Sequence, residues 1–108
     1  MVFTNIEDFY EKAGACHILS RQEEIACAKQ MKNGDALARE KLIQSYLPMA
    51  AAYIKRARPH MQTLGLALHC VYAVEKAVDS FDFLQDSEPF SHRLNWWLRQ
   101  AVIKYTVR

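Results

Sequence analysis

Helix starts and stops punctuate this chain almost from end to end, and they restrict its fold more than any single residue does. Thr4-Asn5-Ile6-Glu7 has the capping-box pattern, in which a side-chain oxygen satisfies a first-turn N–H and an acid three residues on reaches back. It opens a short helix carrying Phe9 and Tyr10, which Gly14 closes. Ser20-Arg21-Gln22-Glu23 repeats the pattern and opens a second helix, in which Ile25, Ala28 and Met31 can pack before Asn33-Gly34 ends it. Asp35 caps a third helix through Ala38, Leu42, Ile43 and Tyr46, and Pro48 either kinks it or begins a fourth element running to about Arg58. Arg58-Pro59-His60-Met61-Gln62 reads as a loop, and Thr63 as the cap of a long apolar helix ending near Phe81. Residues 82–89 contain Asp82, Asp86 and Glu88, lack periodicity and read as an exposed loop, after which Ser91 caps a final helix. With 3 glycines, no alternating strand pattern and no internal repeat, the expectation is all-α, a compact helical bundle forming a single domain over residues 1–108.

Composition excludes several classes. A 108-residue chain with 51% hydrophobic content can bury a modest core, so it is not a disordered tail. No apolar run approaches a membrane span, and Met1-Val2-Phe3-Thr4-Asn5 lacks a basic segment leading into an apolar stretch, so a cytoplasmic protein without membrane contact is expected. The 3 cysteines, Cys16, Cys27 and Cys70, are odd in number and lack metal-type spacing; they read as reduced core thiols. Any zinc site would have to recruit His17, His60, His69 or His92, and two of these stand beside a cysteine in sequence instead of a helical turn away. No metal and no cofactor are expected.

Enzyme chemistry finds little footing either. There is no Gly-rich phosphate loop and no serine in a nucleophile-elbow context. Glu7-Asp8 and Glu23-Glu24 are first-turn carboxylates that the helix dipole explains. Arg39, Glu40 and Lys41, with Gln44 one turn beyond Glu40, read as a solvated helix face. The chain reads as a non-enzyme.

The last helix carries the functional signal. At about 3.6 residues per turn, Leu94, Leu98, Ala101, Val102 and Tyr105 form one stripe suited to docking on neighbouring helices. Roughly opposite lie Arg93, Trp97, Gln100, Lys104 and Arg108, with Trp96 at their edge. From Pro89 onward there is no acidic residue, although the whole chain is only +2. Burying both faces would strand a row of cations, which costs far more than an indole gains. Basic side chains interleaved with flat aromatics suit a polyanion whose bases can stack, which is the chemistry of single-stranded or locally opened nucleic acid. Burial is the commoner fate of any one tryptophan in a short domain. Adjacent positions, however, lie about 100° apart on a helix, so one ring can pack inward while the other points out. If both rings were sealed inside, the chain would be a generic helical domain.

These residues also carry a resemblance. Leu19-Ser20 through Glu24, Ala28-Lys29-Gln30, Asn33-Gly34-Asp35, and Ala38-Arg39-Glu40-Lys41-Leu42-Ile43 with Tyr46-Leu47 resemble the helical segment leading into the central domain of bacterial sigma factors of the sigma-70 family. Ala77-Val78-Asp79-Ser80-Phe81-Asp82, Phe90-Ser91 and Asn95-Trp96-Trp97-Leu98-Arg99-Gln100-Ala101-Val102 resemble that family's promoter-melting segment. The similarity runs from about Asn5 onward, with residues 1–34 resembling region 1.2 and 35–108 resembling region 2. It implies a transcription initiation factor that binds RNA polymerase core and the minus-ten promoter element, partly as single strand, and assists melting. Carried over, Trp96 and Trp97 form a wedge, Gln100 contacts a base edge, and Lys104 and Arg99 approach phosphate or support the helix. An amide can pair with adenine through two hydrogen bonds. In the family, aromatic residues also hold a flipped base, and the resemblance implies that Phe81 and Phe90 either line that pocket or, more commonly for such rings, pack.

The chain also departs from the family pattern. An acidic DLIQEG segment, by which the family grips polymerase, is replaced by Gly65-Leu66-Ala67-Leu68-His69-Cys70, so core binding at the usual surface is not implied. Arg93 stands where the family has a further wedge aromatic, Ile103 replaces a threonine, and Leu84-Gln85-Asp86-Ser87-Glu88 replaces a basic loop. The sequence given stops at Arg108 without the helix-turn-helix domain of the family, so a second polypeptide supplying that part is one implied partner. The alternative is a diverged sigma-like protein-interaction module, a co-sigma or regulator of a transcription partner, without promoter binding of its own.

Overall fold

A computed structural model describes residues 2–85 and 88–106 of the chain. Its helices are α1 (Ile6–Gly14), α2 (Arg21–Lys32), α3 (Ala36–Ser45), α4 (Leu47–Lys55), α5 (Leu64–Ser80) and α6 (Phe90–Thr106), with a 3-10 turn at Pro59–Met61. No strand occurs among the described residues, and the fold is all-α, as the periodicity requires.

Local chemistry sets most boundaries. The Ser20 hydroxyl accepts from the Glu23 N–H while Glu23 accepts from the Ser20 N–H, a complete capping box. Asp35 accepts from the Leu37 and Ala38 N–H groups, and Thr63 from that of Leu66. Gly34, at φ +89°, takes the left-handed step between α2 and α3 that a side chain would resist. Pro48 sits in the first turn of α4, where its missing N–H is harmless, so it begins a new helix instead of bending the old one.

Two caps differ from the sequence reading. In α1 the cap is Asn5, whose side chain accepts from the Asp8 N–H at 2.7 Å. Thr4 instead donates its own N–H to the Asp8 carboxylate at 3.0 Å, so the pattern is displaced by one residue. In α6, Ser91 does not cap; it lies inside the first turn. That helix starts earlier because Phe90 is drawn into the core, its ring 5.1 Å from Phe81, 4.8 Å from Phe83 and 4.6 Å from Tyr46.

The same cluster corrects the view of residues 82–89 as simply exposed. Phe83 is 2% exposed and pins the start of that segment, while Asp82 turns the chain by accepting from the Leu84 and Gln85 N–H groups. Asp86, Ser87 and Arg108 lie outside the described residues.

Packing centres on α5, which lies against α1, α3, α4 and, most extensively, α6. Leu42, Leu47, Ile54, Leu66, Val74 and Leu98 are fully buried, each contributing roughly 1.5–3 kcal/mol of transfer free energy. The core face of α2 is Cys27 and Ala28, with Ile25 and Met31 only half-buried. Cys27 and Cys70 are core residues; Cys16, half-buried at the end of α1, is not. Burial pushes the Cys70 thiol up to about 12.

Two polar links escaped the sequence. Glu24 is buried beyond any dipole role: it receives the Tyr46 hydroxyl hydrogen bond and pairs with Arg21 at 3.0 Å. Burial, reinforced by that carboxylate, raises the Tyr46 phenol well above its ordinary range. Arg39 is not merely solvated, because its guanidinium makes two hydrogen bonds to Asp79 at 2.7 and 2.9 Å, joining α3 to α5.

Candidate nucleic-acid interface

The inward stripe of α6 forms as the periodicity requires. Leu94, Leu98 and Ala101 are buried, and Val102 and Tyr105 pack against the core. With that stripe fixed on α5, the rest of the helix is presented outward, and the two tryptophans divide. Trp96 is 55% exposed, whereas Trp97 is half-buried and packs on the core. The order is the reverse of the sequence placement, which set Trp97 on the open face and Trp96 at its edge. Helix geometry explains it: the crest opposite Leu94, Leu98 and Tyr105 falls at Trp96 and Ile103, which is 46% exposed. The indoles meet edge to face with centroids 5.5 Å apart, so Trp97 braces the ring it does not accompany into solvent.

The six candidate residues do not share one surface. Trp96, Gln100 and Lys104, with Trp97, form the α6 wall of a cleft of about 340 Å³ whose other wall is α5, through His69, Tyr72 and Lys76. Ala73 and Ala101 make its floor, and no carboxylate lines it among the described residues. Arg93 lies beyond the N-terminal end of that wall, in a shallower hollow with Glu88, His92 and both tryptophans. Arg99 faces the other way, into a groove with Tyr53, Arg56 and Asn95 beside the end of α4. The geometry therefore separates Arg99 from Gln100, although they are adjacent in sequence.

Tyr72 and Lys76 were missed in the sequence, and a wheel of α5 would have found them. Leu66, Cys70, Ala73, Val74 and Ala77 form its buried stripe, and Tyr72 falls off it, 59% exposed, with Lys76 one turn later. The Lys76 ammonium stands 5.2 Å from the Tyr72 ring centre. Gly65 explains how α6 closes on α5 at the opposite end. A Cβ there would stand 2.7 Å from the Tyr105 hydroxyl, which approaches Thr63 Oγ1 at 3.1 Å, while the Tyr105 ring meets His69 edge to face. The segment Gly65-Leu66-Ala67-Leu68-His69-Cys70 thus carries no acid, and Leu68 is 49% exposed on its outer side.

No group of three or more histidine, cysteine or acidic side chains suited to a metal ion occurs among the described residues, and no described helix is long and apolar enough to cross a membrane.

The fold and this helix define an all-α domain that displays an acid-free aromatic ridge. No protein-family model matches the chain. It is 35% identical over 97 residues to the RNA polymerase sigma factor SigA of Clostridium acetobutylicum, covering 89% of this chain and 25% of that protein. It is 32% identical over 97 residues to the proteins of the same name from Listeria monocytogenes and Listeria innocua, covering 89% of this chain and 26% of each. The chain is thus similar to these sigma factors over most of its own length, and it spans about a quarter of the length of these curated relatives.

Proposed function

We propose that this chain is a sigma-like transcription initiation factor that engages RNA polymerase core and the minus-ten promoter element, and that α6 assists DNA melting through its exposed indole. The observation that carries the reading is the 55% exposure of Trp96 on a helix with no acidic residue, braced from behind by Trp97. The part of the indole that faces water offers a stacking surface for an unpaired base. Gln100, half-buried beside it, offers a paired donor and acceptor to a base edge, and Lys104 supplies charge for phosphate. Arg93 and Arg99 extend the cationic surface on either side of the ridge.

The test is direct. The chain should bind a single-stranded minus-ten oligonucleotide with affinity that falls steeply as salt rises, and Trp96→Ala should weaken binding by roughly 1–3 kcal/mol while leaving the melting temperature nearly unchanged. No oligonucleotide binding together with no retention on core polymerase would sink the proposal.

A second reading has its own observation. The acid-free start of α5, with Leu68 exposed, supports a diverged interaction module that holds a transcription partner without touching DNA. Polymerase retention that Leu68→Glu abolishes, in a chain that binds no oligonucleotide, would favour it.

A further inference from the structure

The outer face of α5 carries an apolar crest with unlike charges on its two flanks. Leu68 and Tyr72 stand on that crest one helical turn apart, each about half exposed. A single exposed leucine is ordinary, but a leucine and a tyrosine aligned along one helix make a continuous patch. Toward α6 stands Lys76, which lines the cleft with Tyr72 and holds its ammonium 5.2 Å from the Tyr72 ring centre. It adds its field to the lowering of the Asp79 carboxyl but forms no ion pair among the described residues. Toward α3 stand Glu75 and Asp79. The Arg39 guanidinium bonds Asp79 at 2.7 and 2.9 Å and meets Glu75 only through its charge, so these two carboxylates share one cation and negative charge is left over at Glu75. A surface that is apolar along its middle, positive on one side and negative on the other can be complementary to itself. A two-fold axis parallel to α5 lays the α6 flank of one copy on the α3 flank of the other, which sets Lys76 against Glu75 twice. A two-fold axis across the helix would instead lay like flank on like.

We infer that the outer face of α5 is a self-association surface: a second copy of this chain packs its own α5 against it in parallel, with Leu68 and Tyr72 meeting their counterparts and Lys76 of each copy meeting Glu75 of the other. The inference goes beyond the reading of α6 and does not depend on it. A crest of two apolar side chains per copy is small, so the dimer is weak and is governed by concentration. It covers Leu68, so a dimer and a partner held at the start of α5 exclude one another, which makes self-association a brake on that surface.

The experiment is sedimentation equilibrium of the 108-residue chain over a range of loading concentrations. The chain should pass reversibly from monomer to dimer, and Tyr72→Ala should weaken the dimer about tenfold by removing the larger ring of the crest. Lys76→Glu and Glu75→Lys should each weaken it about tenfold or more, because each sets like charges opposite one another in both halves of the interface. Mixed in equal amounts, these two charge variants should associate again, since each then meets its opposite. Circular dichroism checks that the variants keep the fold; should Glu75→Lys not fold, Tyr72→Ala and Lys76→Glu still decide the matter. A chain that stays monomeric at every concentration overturns the inference. So does a dimer that survives Tyr72→Ala and the charge variants, which would belong to another face, and so do mixed charge variants that stay apart. None of these outcomes alters oligonucleotide binding by α6, so the two readings fail separately.

Discussion

Two aromatic groups in this molecule meet opposite surroundings. Phe81, Phe83 and Phe90, with the half-buried Tyr46, interlock with centroids about 5 Å apart, and the three phenylalanines leave little ring surface to water. Along the α5–α6 seam, Tyr72 and Trp96 stand more than half exposed, with lysines and a glutamine for company. Ring area alone drives both groups inward. The first group has a partner for every polar atom it brings, since the Tyr46 hydroxyl finds Glu24 and the phenylalanines bring none. Burial of the second would drag Lys76 and Lys104 out of water into a cleft that no carboxylate lines among the described residues. The surroundings of a ring thus decide whether its hydrophobic surface serves the core or waits for a ligand.

The comparison breaks most visibly at Phe83. Phe83→Ala should cost about 3–5 kcal/mol in denaturant unfolding, because the ring is buried and its neighbours cannot all collapse into the space. Tyr72→Ala should cost almost nothing in the same assay. Equal losses at the two positions would erase the distinction drawn here.

A smaller effect sharpens it at Tyr46. Tyr46→Phe should destabilise the protein by roughly 1–3 kcal/mol, because Glu24 stays buried with one partner fewer. The pH dependence has a definite sign. The folded phenol is held above its ordinary value of 10.0, first by burial and then by the Glu24 hydrogen bond, so its contribution is whole below pH 10 and declines as pH rises past it. Tyr46→Phe should flatten that alkaline decline, measured as melting temperature between pH 9 and 11.

The smallest effect belongs to the Arg39–Asp79 pair. Both groups are partly exposed, so Arg39→Ala should cost no more than about 1 kcal/mol, and less in high salt. The Arg39 guanidinium holds the Asp79 carboxyl below its ordinary 3.8. Its stabilisation is therefore present above that pH and is lost as pH falls through the lower folded value. Acid titrations of the two proteins should converge there.

Much of the fold was legible because helices are specified locally. Ser20 with Glu23, Asp35, Gly34 and Thr63 act within a few residues of themselves, and the stripe of Leu94, Leu98 and Ala101 needs only a 3.6-residue period. Where local and distant demands conflicted, the distant one prevailed. Phe90 moved the start of α6 ahead of Ser91, and Phe83 buried the beginning of a segment whose acids look exposed.

The sequence by itself determined the helical class, the inward face of α6 and the absence of acid along it, for these follow from spacing and residue type. Only tertiary structure decided which tryptophan stands out, that Arg99 turns from the ridge toward Arg56, and that Tyr72 and Lys76 of α5 meet Gln100 and Lys104 of α6 across one cleft. The reason is geometric: a period fixes which residues share a face, but the angle at which a second helix packs fixes what that face confronts.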